Sequence, residues 1–228
     1  AGMQLDAWGA TLTAKKSWFM LDDEIVCLGA GITSTDNRTI ETVIENRKLI
    51  TSGGTNAFTV EGSVMPANLG WSVTVTNLSW AHLAGNVAGA SVGYYFPPGA
   101  TVKALREART GSWNDVNTGG STNPVTRNYL TLWHDHGKSP ANAAYAYVLL
   151  PGFAASNVAA YAAHPDVTVL ENSARAQGVR EERSGHTAVN FWAGGTNTLA
   201  GITVNRPCSV ITRGDGQWLD VAVADPTQ

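Results

Sequence analysis

Charge is scarce in this chain. Asp, Glu, Lys and Arg make up only 14% of its 228 residues, and the net charge is −3. A strongly basic stripe of the kind that holds nucleic acid is absent, and no local basic patch stands out for an anionic polymer either. Cysteine is nearly absent: Cys27 and Cys208 are too few and too far apart to form a disulfide framework. Two buried free thiols are expected, and the cysteines leave the redox compartment open. No apolar run reaches the length of a membrane span. Ala1 opens no visible leader peptide, as expected of a secreted protein already processed or of a piece of a longer one. No internal repeat or low-complexity tract is evident.

Glycine and tryptophan are abundant, at 24 and 8 residues. Low charge with many glycines fits strands and turns better than a helical bundle. The tryptophans fit either a β-sandwich core or a sugar-stacking surface. Period-two alternation runs along the whole chain. Strands are expected at 10–21, 24–28, 39–47, 58–61, 71–77, 92–96, 101–109, 128–134 and 144–150. Further ones are expected at 168–171, 174–180, 188–192, 201–204, 208–213 and 218–223. Asp22-Asp23 reads as a two-residue hairpin turn, aspartate being tolerant of positive φ. Gly29-Ala30-Gly31 reads as a bulge or a close backbone approach, and Gly53-Gly54-Thr55-Asn56 as a loop. The one helical signal is Ala154–Ala163, with a start at Ser156-Asn157 and a stop at His164-Pro165. The fold class is all-β: a large antiparallel sandwich over 1–163, then part of a smaller β-sandwich over 164–228. The second unit is near the lower size limit for an independent core.

Several clusters invite a chemical reading. Asp22, Asp23 and Glu24 are three consecutive carboxylates that repel one another unless neutralised, and calcium takes such oxygens well. The bland alternative is a solvated turn beside a Lys or Arg. His134 and His136 share a strand face, as a two-ligand zinc clip would require. Against that, His136-Gly137 reads as the end of a strand. Tyr94 and Tyr95 point to opposite faces, so a catalytic base is a poor reading for the pair and at least one belongs to the core. Arg106, Glu107, Arg109 and Trp113 form a charged strip beside an aromatic, read here as a cross-strand ion pair with a core Trp. Arg47, after Glu45-Asn46, reads as structural.

Three stretches carry a resemblance. The first is Lys16-Ser17-Trp18-Phe19-Met20-Leu21-Asp22-Asp23-Glu24-Ile25-Val26-Cys27-Leu28-Gly29-Ala30-Gly31-Ile32, followed by Glu41 to Arg47. The second is Gly93-Tyr94-Tyr95-Phe96-Pro97, continuing to Arg109-Thr110-Gly111-Ser112-Trp113. The third runs from His136-Gly137 through Pro140 to Tyr145-Ala146-Tyr147-Val148-Leu149-Leu150-Pro151-Gly152. In this order and spacing, along the whole chain, they resemble polysaccharide lyase family 8, the hyaluronate, chondroitin AC and xanthan lyases.

That resemblance implies a three-part secreted bacterial enzyme: a helical α/α toroid, a β super-sandwich and a smaller β domain. It implies cleavage of uronic-acid-containing polysaccharide by β-elimination, with no cofactor needed for catalysis. An Asn and a His neutralise the uronate carboxylate, and a Tyr serves as base and then acid. In the family these groups and an Arg sit on the toroid, and an assisting Glu and Asn precede the Trp18 stretch. No counterpart of that stretch precedes residue 18, so no catalytic residue is carried onto this chain. A xanthan lyase of the family binds calcium at the matching acidic triplet with a later Glu. The implied metal set here is Asp22, Asp23, Glu24 and Glu182, with Glu181 as the neighbouring choice. The implied partners are an acidic polysaccharide, glycosaminoglycan or xanthan, and the toroid; nucleic acid and membrane are not among them. A free-standing carbohydrate-binding sandwich is the alternative, and an independent hydrolase with paired carboxylates a further one. A sandwich lacking its first strands is expected to leave an unpaired edge and an uncovered apolar strip.

Overall fold

The computed structural model describes residues 1–50, 56–214 and 216–225. Apart from Asn56, the loop expected at Gly53-Gly54-Thr55-Asn56 lies outside them. In chain order the strands are β1 (Gly2–Asp6), β2 (Thr13–Met20), β3 (Ile25–Thr33), β4 (Thr39–Lys48), β5 (Phe58–Val60), β6 (Ser63–Val64), β7 (Ser72–Thr76), β8 (Trp80–Leu83) and β9 (Val92–Tyr95). Then come β10 (Thr101–Gly111), β11 (Val125–Lys138), β12 (Ala143–Pro151) and the helix α1 (Ala155–Ala163). The rest are β13 (Val167–Asn172), β14 (Ala176–Glu181), β15 (His186–Phe191), β16 (Asn197–Leu199), β17 (Ile202–Val204), β18 (Cys208–Gly214) and β19 (Leu219–Ala224).

The all-β expectation holds, and every pairing between these strands is antiparallel. An eight-stranded sheet runs β1-β2-β3-β12-β9-β8-β5-β6, and a four-stranded sheet runs β4-β11-β10-β7. A five-stranded sheet, β13-β14-β15-β18-β19, follows in sequence, with β16 and β17 as a separate hairpin. One core lies between the eight- and four-stranded sheets, built from side chains such as Phe58, Leu83, Tyr94, Phe96, Leu130, Leu132 and Tyr147. A second core lies on the other side of the eight-stranded sheet. There Val26, Leu28, Tyr95, Val148 and Leu150 pack with Val158 and Tyr161 of α1 and with Val167, Val179 and Ala188 of the third sheet. The eight-stranded sheet is thus covered on both faces at its centre. That explains the unbroken apolar run Ile25–Ile32, which a one-sided strand would interrupt with polar residues.

Gly29-Ala30-Gly31 is both a bulge and a close approach. The register of β3 shifts against β2 and β12 at this point, and Gly31 has φ +63°. A Cβ on Gly29 would stand 2.0 Å from the Tyr145 ring.

Some expectations fail for identifiable reasons. Neither Asp22 nor Asp23 takes positive φ; the turn is closed by Leu21 N donating to Glu24 O at 3.0 Å and is held from outside, as described below. Helix α1 starts from Ala154, not Ser156-Asn157, and has no side-chain cap. Burial of Val158, which fills the space a Cβ on Gly93 would need, sets its position. Strand β11 runs two residues past His136, through a register shift before Lys138. Cys208 is only half-buried, whereas Cys27 is buried and both thiols are free. Strands β1, β6, β8 and β16 lacked a readable signal; β1 is short and mostly exposed. Exposed apolar side chains lie on β19, at Leu219, Val221 and Val223, and also at the N-terminal edge, at Met3 and Trp8.

A buried polar relay joins β2 to the third sheet. Ser17 Oγ donates to Gln177 Oε1 at 2.5 Å, and Asn190 Nδ2 donates to Ser17 Oγ at 2.8 Å. Gln177 Nε2 donates to Asn172 Oδ1 at 2.8 Å, and Asn172 Nδ2 donates to Tyr145 O at 2.9 Å. Ser17 and Gln177 are fully buried, so each lost partner leaves an unsatisfied group. Gln177→Leu is expected to lower folding stability by about 2 kcal/mol. In urea unfolding, Ser17→Ala added to it should cost less than the sum of the two single changes.

Candidate functional site

The acidic turn between β2 and β3 meets the turn after β14. Arg183 Nη2 donates to Asp22 Oδ2 and to Asp23 Oδ2, each at 3.0 Å. Two of the three carboxylates are therefore bridged by one guanidinium lying 160 residues away in sequence. The pair is solvent-exposed, so its net contribution is small.

Glu24 is different. It is 2% exposed, and its Oε1 has no hydrogen-bond partner. Burial, then the charges of Glu181 and Asp166, push its carboxyl up to about 7. Glu181, also fully buried, keeps its charge. Burial alone would raise it, but hydrogen bonds from the Ser184 hydroxyl and from the backbone N–H groups of Ser184 and Arg183 outweigh burial and hold it low. The Tyr161 hydroxyl lacks a partner as well. Burial raises its pKa first, and the charge of Glu24 adds to that.

Glu182 stands apart. Its Oε2 accepts from Arg180 Nε at 3.0 Å on an exposed surface. Asp22, Asp23, Glu24 and Glu182 are thus not gathered into one set; the carboxylate acting most strongly on Glu24 is Glu181. Among the described residues no three His, Cys, Asp or Glu side chains stand ready to enclose a metal ion. Asp22 and Asp23 already share the Arg183 guanidinium, and the one carboxylate oxygen left without a partner is the buried Oε1 of Glu24.

The remaining candidates resolve individually. His134 and His136 do share a face, with ring centres 6.4 Å apart. His134 Nδ1 pairs with Thr101 O at 3.0 Å and His136 Nε2 with Thr42 Oγ1 at 2.9 Å. Each ring is committed to a protein partner, and both are stacked or tilted against Tyr145. Burial lowers both pKa values, so both rings stay neutral. Tyr94 and Tyr95 point to opposite cores, and both are buried. Tyr94 OH donates to Glu45 Oε2 at 2.7 Å, and Glu45 also pairs with Arg47 at 3.0 Å; Arg47 is structural.

The strip Arg106-Glu107-Arg109-Trp113 is not one strip. Arg106 points inward, is 1% exposed and donates to Asn56 O at 2.8 Å. Glu107 and Arg109 pair along one strand, not across two, at 2.7 Å. Trp113 is 67% exposed at the start of a short 3-10 helix, Trp113–Asp115, after β10 and belongs to no core. Arg109 lies instead over the Tyr129 ring, 4.8 Å from its centre.

Comparison with known proteins matches residues 1–162 to the family description "Polysaccharide lyase family 8, super-sandwich domain" and residues 168–228 to "Polysaccharide lyase family 8, C-terminal beta-sandwich domain". A xanthan lyase from Bacillus sp. (strain GL1) is 47% identical over the whole chain, which covers 25% of that protein. A hyaluronate lyase from Thermasporomyces composti is 41% identical, again over the whole chain, which covers 28% of it. The solved structure of a Paenibacillus xanthan lyase superposes with a TM-score of 0.95 at 50% identity, over 99% of this chain and 22% of that one. The chain spans about a quarter of the length of the curated relatives it matches.

Proposed function

The chain belongs to polysaccharide lyase family 8, and from that premise we propose that it is the sandwich portion of an enzyme that cleaves a uronic-acid-containing polysaccharide by β-elimination, the catalytic groups being carried on another part of the polypeptide. In that reaction a base removes the proton on C5 of the uronate. The bond to the leaving oxygen breaks, that oxygen takes a proton, and an unsaturated sugar remains. The uronate carboxylate must be neutralised meanwhile, because its charge opposes carbanion formation next to it.

The state of the tyrosines supports this division of labour. Tyr94, Tyr95, Tyr145, Tyr147 and Tyr161 are all buried, and burial raises every one of their phenol pKa values. A general base needs the opposite shift and a path to substrate. The sixth tyrosine, Tyr129, lies beneath the Arg109 guanidinium. The sandwich then acts as a buttress for a helical toroid and as one wall of the polysaccharide groove. Glycosaminoglycan and xanthan both fit, the relatives being named for hyaluronan and for xanthan. The size of such a polymer supports reading the parent enzyme as one secreted by a bacterium.

We also propose a structural calcium ion at the acidic turn, held by Asp22, Asp23 and Glu24 with Glu181 as the fourth carboxylate in place of Glu182. The partnerless Glu24 oxygen supports it. The ion would supply positive charge at the junction of β2–β3 with the third sheet and take no part in elimination.

Reconstitution tests the main reading. An upstream toroid produced separately is expected to bind this chain and to release unsaturated product from hyaluronan or xanthan only when both pieces are present. Full activity of the toroid alone, unchanged by adding this chain, would reject the buttress role.

A further inference from the structure

The register of the four-stranded sheet brings together cations that the sequence keeps apart, on a face that also carries Glu107, Asp135 and Glu41. On its outward face Arg109 of β10 stands directly opposite Arg127 of β11, and one row along Lys48 of β4 stands opposite Tyr129. Like charges placed directly across a strand pair destabilise it. Glu107 offsets Arg109, but among the described residues no carboxylate lies within ion-pair distance of Arg127 or Lys48.

Arg109 is also immobilised. Its Nη1 donates to Asn46 Oδ1 and its Nη2 to Thr131 Oγ1, both at 2.8 Å, holding the guanidinium over the Tyr129 ring. Four residues further along β11, about 13 Å at strand rise, Trp133 stands half-buried on the same face, opposite Lys103. Lys103 is paired with Asp135 at 2.6 Å, so Arg127 and Lys48 are the cations left to meet a chain that carries carboxylates or sulfates, with half-buried Trp133 beyond them for the apolar C–H faces of its rings.

We propose that this outward face, centred on Arg109, Arg127 and Lys48 with Trp133 beyond them, is a non-catalytic binding surface for an acidic polysaccharide. It rests on the lyase reading and adds to it a second hold on the polymer, away from the place where the bond is cut. Arg127 and Lys48, which have no ion-pair partner among the described residues, then gain stability when an anion arrives.

Gel retardation of the purified chain tests it, with chondroitin sulfate and hyaluronan as probes and dextran as the uncharged control. The two acidic polymers are expected to retard the chain, less so as salt is raised, and dextran to leave it unaffected. The double variant Lys48→Ser/Arg127→Ser should lose at least fivefold in apparent affinity. A charge-matched variant, Arg38→Ser/Arg206→Ser, should lose less than twofold. All four positions are exposed, and thermal unfolding checks that both variants fold. No retardation by either acidic polymer, equal retardation by dextran, or equal losses in the two variants would each overturn the proposal. None of these outcomes touches the lyase reading, which stands on activity from the longer polypeptide.

Discussion

Replacing Gly29 by alanine is expected to cost at least about 3 kcal/mol of folding stability, at the upper end of what overpacking a core does. The Cβ would fall 2.0 Å from one Tyr145 ring atom and 2.4 Å from another. A flexible surface side chain could swing away from such a contact. Tyr145 cannot, because it is 6% exposed and packed against His134 and Tyr147. β3 cannot retreat either, being hydrogen-bonded to β2 on one side and β12 on the other. The double variant Gly29→Ala/Tyr145→Leu should recover part of the loss, since removing the ring edge makes room for the methyl. Urea unfolding of the two single variants and the double variant measures this. Additive losses would show that the ring contact is not the cause.

Glu24→Gln is expected to stabilise the calcium-free chain above pH 7 by about 3 kcal/mol, since a tenfold difference in proton affinity between folded and unfolded chain corresponds to about 1.4 kcal/mol. Glu24 titrates near 7 when folded and near 4.5 as a free side chain. Between those values the folded state binds a proton that the unfolded chain has released, so stability falls as pH rises through that window. Above pH 7 the folded chain carries a buried carboxylate against Glu181 and Asp166, and the amide removes that charge. Calcium should reverse the comparison. With the ion bound, ionised Glu24 becomes a ligand, the wild type melts higher, and Glu24→Gln loses the gain. Melting temperatures at pH 5 and pH 8, with EDTA and with calcium, decide it. A wild type indifferent to calcium at both pH values would remove the ion from the account, while a flat pH response in EDTA would remove the buried charge.

The two sites show what local pattern conveys and what it hides. Period-two alternation placed Tyr94 and Tyr95 on opposite faces, and the glycines of Gly29-Ala30-Gly31 marked the bulge, because both are properties of a few adjacent residues. The Asp22-Asp23 turn was legible for the same reason. Its partner was not: Arg183 lies 160 residues further along the chain, beyond strands β3 to β14 and the helix, and nothing near either residue signals the meeting. Glu24 resembled its exposed neighbours in sequence, yet alternation from the buried β3 turns it inward. The paired arginines stayed hidden because they become neighbours only when β10 and β11 are set in register. Strand β1 was illegible because it is only five residues long and mostly exposed, its apolar alternation resting on Met3 and Leu5 alone.

The reading of this chain as a support for chemistry performed elsewhere is tested most directly on the purified polypeptide itself. Incubated with hyaluronan, chondroitin or xanthan, residues 1–228 alone should generate no ultraviolet absorbance from unsaturated product at any pH. Steady appearance of that product, abolished by changing a tyrosine or histidine within these residues, would contradict it.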